Sequence, residues 1–471
     1  MLFRSRAREL DKPIVVLKVG RSDAGARAAV SHTGSLTGAD RVVDAAFRQY
    51  GVVRADTTAD LLAYARIFEH GRRPAGRRVG IVSISGGVGV MLADAAVAAG
   101  LQVPGLTGES YASVAATIPP FGAAGNPVDC TAQVGVNDRA ALGAVLRTVA
   151  GLPDIDMLCY AGLSDDPNDD WLNALDVLRT DVSKPAVVCC ATPLAQQKVS
   201  GRGIPCYADG EAAMRGLAAL ARFRLDPPLP RPAPATDGSR RTAGAQILRG
   251  SGDGRILPDD DARLLLAGYG IPFPAQELAP DARGAVQAAV RVGFPVALKV
   301  ISPDLPHKSD VGGVRLGLRS TADVRRAYGD VLAAVAGRAP HATIAGVLVQ
   351  QMVPPGLELV VGMHRDAQFG PVVTVGLGGT AAEIIDRTVS RLAPLREEEA
   401  VRGLAEVAGG RLVTHARGLS RSAQHAVAAI AVALGTLGCE LAEVAEVDLN
   451  PVIVGDSGVV AVDALVTVAT P

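Results

Sequence analysis

Aromatic residues are scarce in this chain: Phe, Trp and Tyr make up 3% of its 471 residues, and there is one Trp. Hydrophobic residues still reach 48%, so we expect cores built from Ala, Val and Leu, as in layered α/β folds. A net charge of -1 provides no long-range field that would favour nucleic acid or an acidic membrane. We find no stretch apolar and long enough to cross a bilayer, which predicts that the chain has no membrane span.

Cysteine is also used sparingly, and no two cysteines form a CxxC pair. Adjacent Cys189 and Cys190 lie in an apolar run that predicts a buried strand. The N-terminal residues 1–8 lack the hydrophobic stretch of a secretory signal. Together these features predict a reduced, cytoplasmic protein without a structural zinc site. The six cysteines are Cys130, Cys159, Cys189, Cys190, Cys206 and Cys439.

The length allows about three domains. The first, residues 1–72, contains a buried-strand run at Ile14–Val19 and an amphipathic helix at Asp40–Gln49. This helix is predicted to turn Val42, Val43, Ala46 and Phe47 inward. Such a segment is short for a stable α/β domain, so we expect it to be the back half of a domain whose front lies elsewhere.

Residues 75–225 alternate strands and helices, which predicts a parallel, flavodoxin-like sheet. The expected elements are the strands Arg78–Ile84, Met157–Tyr160 and Ala186–Cys190 and a helix at Met91–Ala99. A proline-dense linker is predicted at 226–240. The third domain, 241–471, is predicted to contain a helix at Asp259–Gly268, strands at Pro295–Val300, Gly346–Met352, Leu357–Met363 and Val372–Val375, and a hairpin-like pair at Val444–Leu449 and Val459–Ala464.

Two histidines lie in segments rich in small and hydroxyl-bearing residues. His32 is in Ser31–Gly38, and His307 is in Pro306–Val314. A neutral imidazole is a competent nucleophile, and backbone N–H groups in such segments approach phosphate closely. The pair suggests that a phosphoryl group is passed along. The alternative is that each histidine is an ordinary polar loop residue.

The third domain also has the residue types of a metal-dependent ATP site. A strand lysine neutralises phosphates, and carboxylate and amide oxygens are ligands for Mg²⁺. Each element alone also has a structural explanation, since a strand lysine often extends past apolar neighbours to solvent and Gly-Gly is often only a turn. The candidates are Lys299, Glu358, Glu383, Asn450, Asp463 and the segment Gly376–Thr380, which includes Gly378 and Gly379.

A glycine-rich turn at Ser85–Gly89 precedes the predicted helix in the second domain. Backbone N–H groups of Ser85, Gly86 and Gly87 at this helix start are candidates to cradle a phosphohistidine. An ordinary strand-to-helix turn is the equal alternative.

The chain resembles the NDP-forming acyl-CoA synthetases, the ADP-forming acetate–CoA ligases related to succinyl-CoA ligase. The resemblance extends over nearly the whole chain in the family's domain order. It implies succinyl-CoA synthetase-like, flavodoxin-like units followed by an ATP-grasp domain. The motifs that carry it are Lys18–Ser22, Ala28–Leu36, Gly86–Gly89, Asn126–Asp129, Val296–Val314, Phe369–Glu383, Asp448–Pro451 and Ala461–Ala464.

By this resemblance, His32 is the catalytic phosphohistidine and His307 the second relay histidine. Asn450 and Asp463 are the Mg²⁺ ligands, with Asp448 beside them, and Glu358 meets the histidine or the metal. The adenine-binding hinge corresponds to Gln350, Gln351 and Met352, where the contacts are expected through the backbone, so that the side chains predict little.

The resemblance further implies that ATP phosphorylates a histidine, that the phosphoryl group reaches a carboxylic acid, and that coenzyme A attacks the acyl phosphate. ATP or ADP, Mg²⁺ and coenzyme A are therefore the expected cofactors and substrates. Which acid reacts is not readable from the sequence.

One departure from the family pattern concerns the CoA-binding domain, which fused members place before the His32 segment. No GxGxxG-type turn precedes Lys18. A separate CoA-binding subunit, a truncated frame or a lost CoA function each explain this. We expect an oligomer, because an incomplete sheet leaves an edge to be covered. The alternatives to the synthetase are a vestigial or regulatory ATP-binding subunit and an ATP-grasp carboxylate ligase that does not use coenzyme A.

Overall fold

The computed structural model describes residues 6–7, 9–22, 24–25, 40–162, 169–229, 237–250, 256–302, 304–305, 308–379, 388–407, 412, 418–456 and 458–469. The chain forms two compact units. The first contains residues 1–37 and 47–228, and the second contains residues 38–46 and 229–471.

The first unit is built from short helices and strands in alternation. In chain order, with the helix that passes from the second unit into the first, its elements are β1 (Ile14–Leu17), α1 (Asp40–Tyr50), β2 (Val52–Ala55), α2 (Thr58–Glu69), β3 (Val79–Ser83), α3 (Gly86–Ala98), α4 (Gly108–Ala115), β4 (Val128–Asp129), a π-helical turn (Gln133–Asn137), α5 (Arg139–Gly151), β5 (Met157–Ala161), α6 (Asp169–Leu175), α7 (Val177–Thr180), β6 (Ala186–Cys189), α8 (Pro193–Gly201), β7 (Cys206–Tyr207) and α9 (Gly210–Leu225).

Five of the described strands form a parallel sheet in the order β4-β3-β5-β6-β7. Hydrophobic cores cover both of its faces, as the alternation along β5 shows: Leu158 and Tyr160 lie in one core and Cys159 in the other. Strands β1 and β2 pair in parallel as a separate two-stranded sheet. The parallel α/β architecture predicted for this region is confirmed.

The second unit is built around two antiparallel sheets. Its remaining elements are α10 (Gly238–Gly250), α11 (Asp259–Gly268), β8 (Gln276–Ala279), α12 (Ala282–Val292), β9 (Val296–Ile301), β10 (Val314–Leu318), α13 (Thr321–Arg338), β11 (Gly346–Gln351), β12 (Leu357–Asp366), β13 (Gly370–Leu377), β14 (Thr388–Leu392), α14 (Glu397–Leu404), α15 (Arg421–Glu440), β15 (Val444–Gly455), β16 (Gly458–Ala461) and β17 (Ala464–Val468).

In the described part of this unit, one sheet has the order β10-β9-β11-β8. The other has the order β14-β13-β12-β15-β16, and β17 also pairs with β15. Each sheet packs one face on helices: α12 and α13 cover the four-stranded sheet, and α15 covers the six-stranded one. The opposite faces of the two sheets are therefore free to carry polar side chains.

Helix α15 is long and apolar enough, by length and composition, to cross a membrane, which the sequence analysis did not anticipate. Its residues Val427, Ile430, Leu434 and Leu437 are buried in the core of the second unit. The apolar composition is thus explained by packing against β12 and β13, since a central core helix is apolar on most sides.

Helix α3 begins at Gly86, whereas the sequence predicted a glycine turn followed by a helix from Met91. Close packing explains the glycine at position 89, because a Cβ atom there would lie 3.0 Å from Pro127 Cβ. In α1, Val42, Val43 and Ala46 of the expected inward face are buried, whereas Phe47 is only half-buried and Ala45 is buried in addition. Residues 230–236 of the predicted linker lie outside the described residues, and residues 238–240 already belong to α10, whose first N–H groups donate to Asp237.

Candidate functional site

Lys299 lies on the face of the four-stranded sheet opposite its hydrophobic core. Along β9, Val296, Leu298 and Val300 point into the core, so alternation directs Lys299 to the other side. The lysine residue is 7% exposed. Its Nζ donates to the carbonyl oxygen of Val462 at 3.2 Å and lies 3.5 Å from Oδ2 of Asp463. A largely buried ammonium group therefore meets a carboxylate that is about half exposed.

Gln350 lies on the same face of the same sheet, on the neighbouring strand β11. It is 2% exposed, and its Nε2 donates to Gln276 Oε1 at 2.8 Å and to the Val462 carbonyl oxygen at 3.0 Å. This side chain therefore makes its contacts within the protein, and the expectation that nucleotide contacts in this segment are made through the backbone stays a prediction. The backbone N–H groups of Gln351 and Met352 donate to the carbonyl oxygens of Ala275 and Pro295, at 2.8 and 2.9 Å.

The predicted strand Val459–Ala464 is interrupted at Val462 and Asp463. Strand β16 ends at Ala461, opposite Val452, and β17 begins at Ala464, opposite Leu449. The interruption therefore faces Asn450 and Pro451 of β15, and the Val462 N–H donates to the Pro451 carbonyl at 2.9 Å. This register places Asn450 and Asp463, which are 13 residues apart in sequence, opposite each other.

Further carboxylates lie near this place. Asp448 is two residues before Asn450 on β15, and its pKa is raised by burial and by the negative charges of Glu446 and Asp463. Within the described ranges, no group of three or more His, Cys, Asp or Glu side chains is arranged to hold a metal ion. The donor set that the chain offers to Mg²⁺ is thus one exposed amide and adjacent carboxylates, all hard oxygen ligands in a region of excess negative charge. This chemistry fits Mg²⁺.

Glu358 is exposed on β12 and faces away from the core that contains its neighbour Leu359. Its backbone carbonyl accepts a hydrogen bond from Gly378 N at 2.8 Å. A Cβ atom on Gly378 would lie 3.1 Å from the backbone carbonyl carbons of Glu358 and Leu359. Gly379 has φ of +81° and lies close to the Glu358 carboxylate. Close approach of two backbones explains why glycine is present here.

In the first unit, Ser85 is the N-cap of α3, and Gly86 and Gly87 are exposed in its first turn. The Ser85 side chain makes no capping hydrogen bond. A Cβ atom on Gly86 would lie 3.2 Å from Asp129 Oδ2, so a carboxylate stands next to this helix start. These residues are at the carboxyl end of β3, where the sequence predicted a phosphate cradle or a simple turn.

The sequence candidates His32, His307, Glu383 and Thr380 lie outside the described residues. Beside His307, Lys308 forms an ion pair with Asp259 at the start of α11. Residues 308–313 are also closed by backbone hydrogen bonds from Gly312 to Ser309 and from Gly313 to Lys308.

Sequence analysis missed Gln276 and the Val462 carbonyl. No local signal identifies them, because their partners Gln350 and Lys299 become neighbours only through strand pairing and the approach of the two sheets.

Three family descriptions match successive parts of the chain. Residues 2–68 match a succinyl-CoA ligase like flavodoxin domain, residues 79–159 a ligase-CoA domain, and residues 250–468 an ATP-grasp domain. This order confirms the predicted fold class, flavodoxin-like α/β units followed by an ATP-grasp domain.

The chain is also similar to complete proteins. It is 35% identical over 459 residues to the acetate–CoA ligase [ADP-forming] I of Archaeoglobus fulgidus, and this match covers 96% of the chain and 65% of the relative. Subunit beta of the acetate–CoA ligase [ADP-forming] I of Pyrococcus furiosus is 36% identical over 46% of the chain and 94% of the subunit. Subunit alpha of that ligase is 34% identical over 47% of the chain and 49% of the subunit. The chain thus spans about two thirds of the length of the Archaeoglobus relative, and related ligases exist as separate subunits.

Proposed function

Because this chain belongs to the family of ADP-forming acyl-CoA ligases, we propose that it takes part in converting a carboxylic acid, coenzyme A and ATP to acyl-CoA, ADP and phosphate. The structural observation that carries the proposal is the approach of Lys299 to Asp463 at the interruption between β16 and β17, which lies opposite Asn450 of β15. Lys299, together with a cation held by the oxygen ligands Asp463 and Asn450, would supply the charge neutralisation on which phosphoryl transfer depends.

Each residue has a distinct part in this proposal. Lys299 binds the phosphates of ATP, and its low exposure keeps the ammonium group in a region of low dielectric constant, where its attraction for phosphate is strong. Asn450 and Asp463 hold Mg²⁺, which supplies positive charge to the phosphates. The loop at Gly378 and Gly379, beside Glu358, and the backbone of Gln350, Gln351 and Met352 bind the rest of the nucleotide.

In the proposed reaction, His307 and His32 carry the phosphoryl group in turn. A nitrogen atom of His307 attacks the γ-phosphorus, the bond to the β,γ-bridging oxygen breaks, and ADP leaves. The phosphoryl group then passes to His32 and from His32 to a carboxylate oxygen of the acid. Ser85, Gly86 and Gly87 at the start of α3 are the groups we assign to binding the phosphohistidine. The coenzyme A thiol attacks the acyl carbon, and phosphate leaves. Glu358 orients a histidine or the metal during these transfers.

We propose that a CoA-binding domain acts in trans as a separate subunit and that the assembly is an oligomer in the cytoplasm. The related ligase of Pyrococcus furiosus, which exists as separate alpha and beta subunits, supports this proposal.

The first test is phosphoryl labelling of the purified protein. Wild type, His307→Ala and His32→Ala are incubated with Mg²⁺ and γ-labelled ATP, and the label is tested for acid lability and alkali stability. We expect such label in wild type and none in His307→Ala. ATP binding without any label would instead favour a regulatory or vestigial ATP-binding subunit. Label transferred to an acid, followed by transfer of the acyl group to an amine and release of labelled phosphate, would favour a carboxylate ligase that does not use coenzyme A.

A further inference from the structure

The carbonyl oxygen of Val462 accepts hydrogen bonds from two buried side chains of the opposite sheet. Lys299 Nζ lies at 3.2 Å and Gln350 Nε2 at 3.0 Å. Val462 is the residue directly before Asp463 and lies in the interruption between β16 and β17. Its carbonyl group therefore connects the position of Asp463 to the four-stranded sheet through two donors.

The amide group of Gln350 has no remaining donor. An amide NH₂ has two hydrogens, and Gln350 Nε2 has two acceptors, Gln276 Oε1 at 2.8 Å and the Val462 carbonyl. The side chain is 2% exposed. Gln350 therefore does not use its NH₂ group to recognise an adenine ring, although it lies in the segment that corresponds to the adenine-binding hinge.

Lys299 differs from Gln350 because its ammonium group has competing partners. It lies between the Val462 carbonyl and the Asp463 carboxylate, and a nucleotide phosphate attracts it more strongly than a neutral carbonyl does. When the ammonium turns towards a phosphate, Val462 loses one of its two donors. The hydrogen bond from Gln350 remains, and the Val462–Asp463 segment keeps its place opposite Asn450.

We propose that Gln350, oriented by Gln276, is a positioning residue that holds the Asp463 carboxylate in place for Mg²⁺ while Lys299 exchanges its protein partners for nucleotide phosphate. The inference rests on the proposed function and assigns to the Gln350 side chain a role towards the metal. It predicts that loss of the amide weakens Mg²⁺ binding and leaves the contact between Lys299 and phosphate intact.

The test compares Gln350→Leu with a matched control, Gln287→Leu, which makes the same change on the exposed side of α12. ATP binding is measured by calorimetry with EDTA and then across a Mg²⁺ titration, so that no turnover is needed. We expect Gln350→Leu to raise the Mg²⁺ concentration for half-maximal enhancement of ATP binding about 10-fold, as for residues that orient metal ligands. ATP affinity in EDTA should change less than about 2-fold, and the control should match wild type.

A second variant, Gln276→Leu, keeps Gln350 but removes the acceptor that orients it, and the shift in Mg²⁺ dependence should be smaller and in the same direction. If Gln350→Leu does not fold, Gln276→Leu still tests the proposal. Equal loss of ATP affinity with and without Mg²⁺ would overturn the positioning role, and so would an unchanged Mg²⁺ dependence. If the wild-type protein binds no ATP in the presence of Mg²⁺, both the proposed function and the inference fail. If Mg²⁺ enhances ATP binding equally in wild type and in Gln350→Leu, the inference alone is contradicted.

Discussion

The Nζ atom of Lys299 lies 3.5 Å from Oδ2 of Asp463, across the space between the two sheets of the second unit. The lysine side chain is 8% exposed and the aspartate side chain 47%. A buried cation thus pairs with a carboxylate that still reaches solvent. This asymmetry suits a site in which the lysine is held by the protein and the carboxylate is accessible to a ligand.

Lys299→Met should abolish most phosphoryl labelling with little change in fold. Methionine fills the same buried volume but provides no charge for the phosphates. We expect the rate of labelling from γ-labelled ATP to fall by about 100-fold, as when one electrostatic donor is removed from an active site. Lys299→Arg is the stringent comparison with Lys299→Met, because it keeps the positive charge. A larger, planar guanidinium does not replace an ammonium in a buried position. Wild-type labelling by Lys299→Met would contradict the assignment.

Asp463→Asn should act on Mg²⁺ dependence. The substitution keeps the shape and removes the negative charge that attracts the cation. We expect the Mg²⁺ concentration for half-maximal labelling to rise more than about 10-fold, with recovery at high Mg²⁺. Asp456→Asn, an exposed carboxylate beyond the end of β15, is the control and should leave the titration unchanged. If Asp463→Asn and Asp456→Asn give the same Mg²⁺ titration curve, Asp463 is not a ligand of the metal.

Gly378→Ala should damage the nucleotide site through the backbone. The added Cβ would lie 3.1 Å from backbone atoms of Glu358 and Leu359, which have no flexible end that moves aside. We expect the apparent KM for ATP to rise, measured in the labelling assay. Gly329→Ala provides the opposite case, since nothing lies within 4 Å of its Cβ position in α13. That variant should gain up to about 1 kcal/mol of stability from helix propensity and keep its KM. If Gly378→Ala leaves the KM for ATP unchanged, the loop at Gly378 tolerates the added Cβ atom and the prediction is wrong.

Glu440 should make the stability of the second unit sensitive to acid. Its side chain is fully buried and accepts hydrogen bonds from Arg240 Nη2 at 2.6 Å and Tyr269 Oη at 2.9 Å. Burial alone would raise the pKa of Glu440, but these hydrogen bonds and the charge of Arg240 outweigh it and hold the pKa below its ordinary value of 4.5. The stabilisation is therefore complete above pH 4.5 and is lost as the pH falls through the lowered pKa.

We expect Glu440→Gln to lose about 2 kcal/mol of unfolding free energy near pH 7, because one amide cannot accept all the bonds that the carboxylate accepts. The variant should also show a weaker decline in stability between about pH 5 and pH 3. Urea unfolding at several pH values measures both effects. The exposed Glu398→Gln is the control and should stay within about 0.5 kcal/mol of wild type. Parallel pH curves for wild type and Glu440→Gln would refute the linkage.

Periodicity predicted most of the elements. Helix Asp259–Gly268 begins and ends where it was expected, and the strands around Lys299 and Glu358 differ from the prediction by a few residues at their ends. These elements are recognisable because their apolar spacing and bounding Gly and Pro residues are local properties of the chain. Helix α3 was misjudged at its start, because the packing of Gly89 against Pro127 depends on a loop 38 residues away.

The sequence by itself determined the order of domains, the types of the elements and the residue types available for phosphate and metal chemistry. Only the tertiary structure decided which of them meet. The interruption at Val462 and Asp463 depends on the register of β15 with two strands, and the convergence of Lys299 and Gln350 on one carbonyl depends on the approach of two sheets. Side-chain alternation along a strand is local, whereas register and sheet packing are set by the free energy of burying distant residues together.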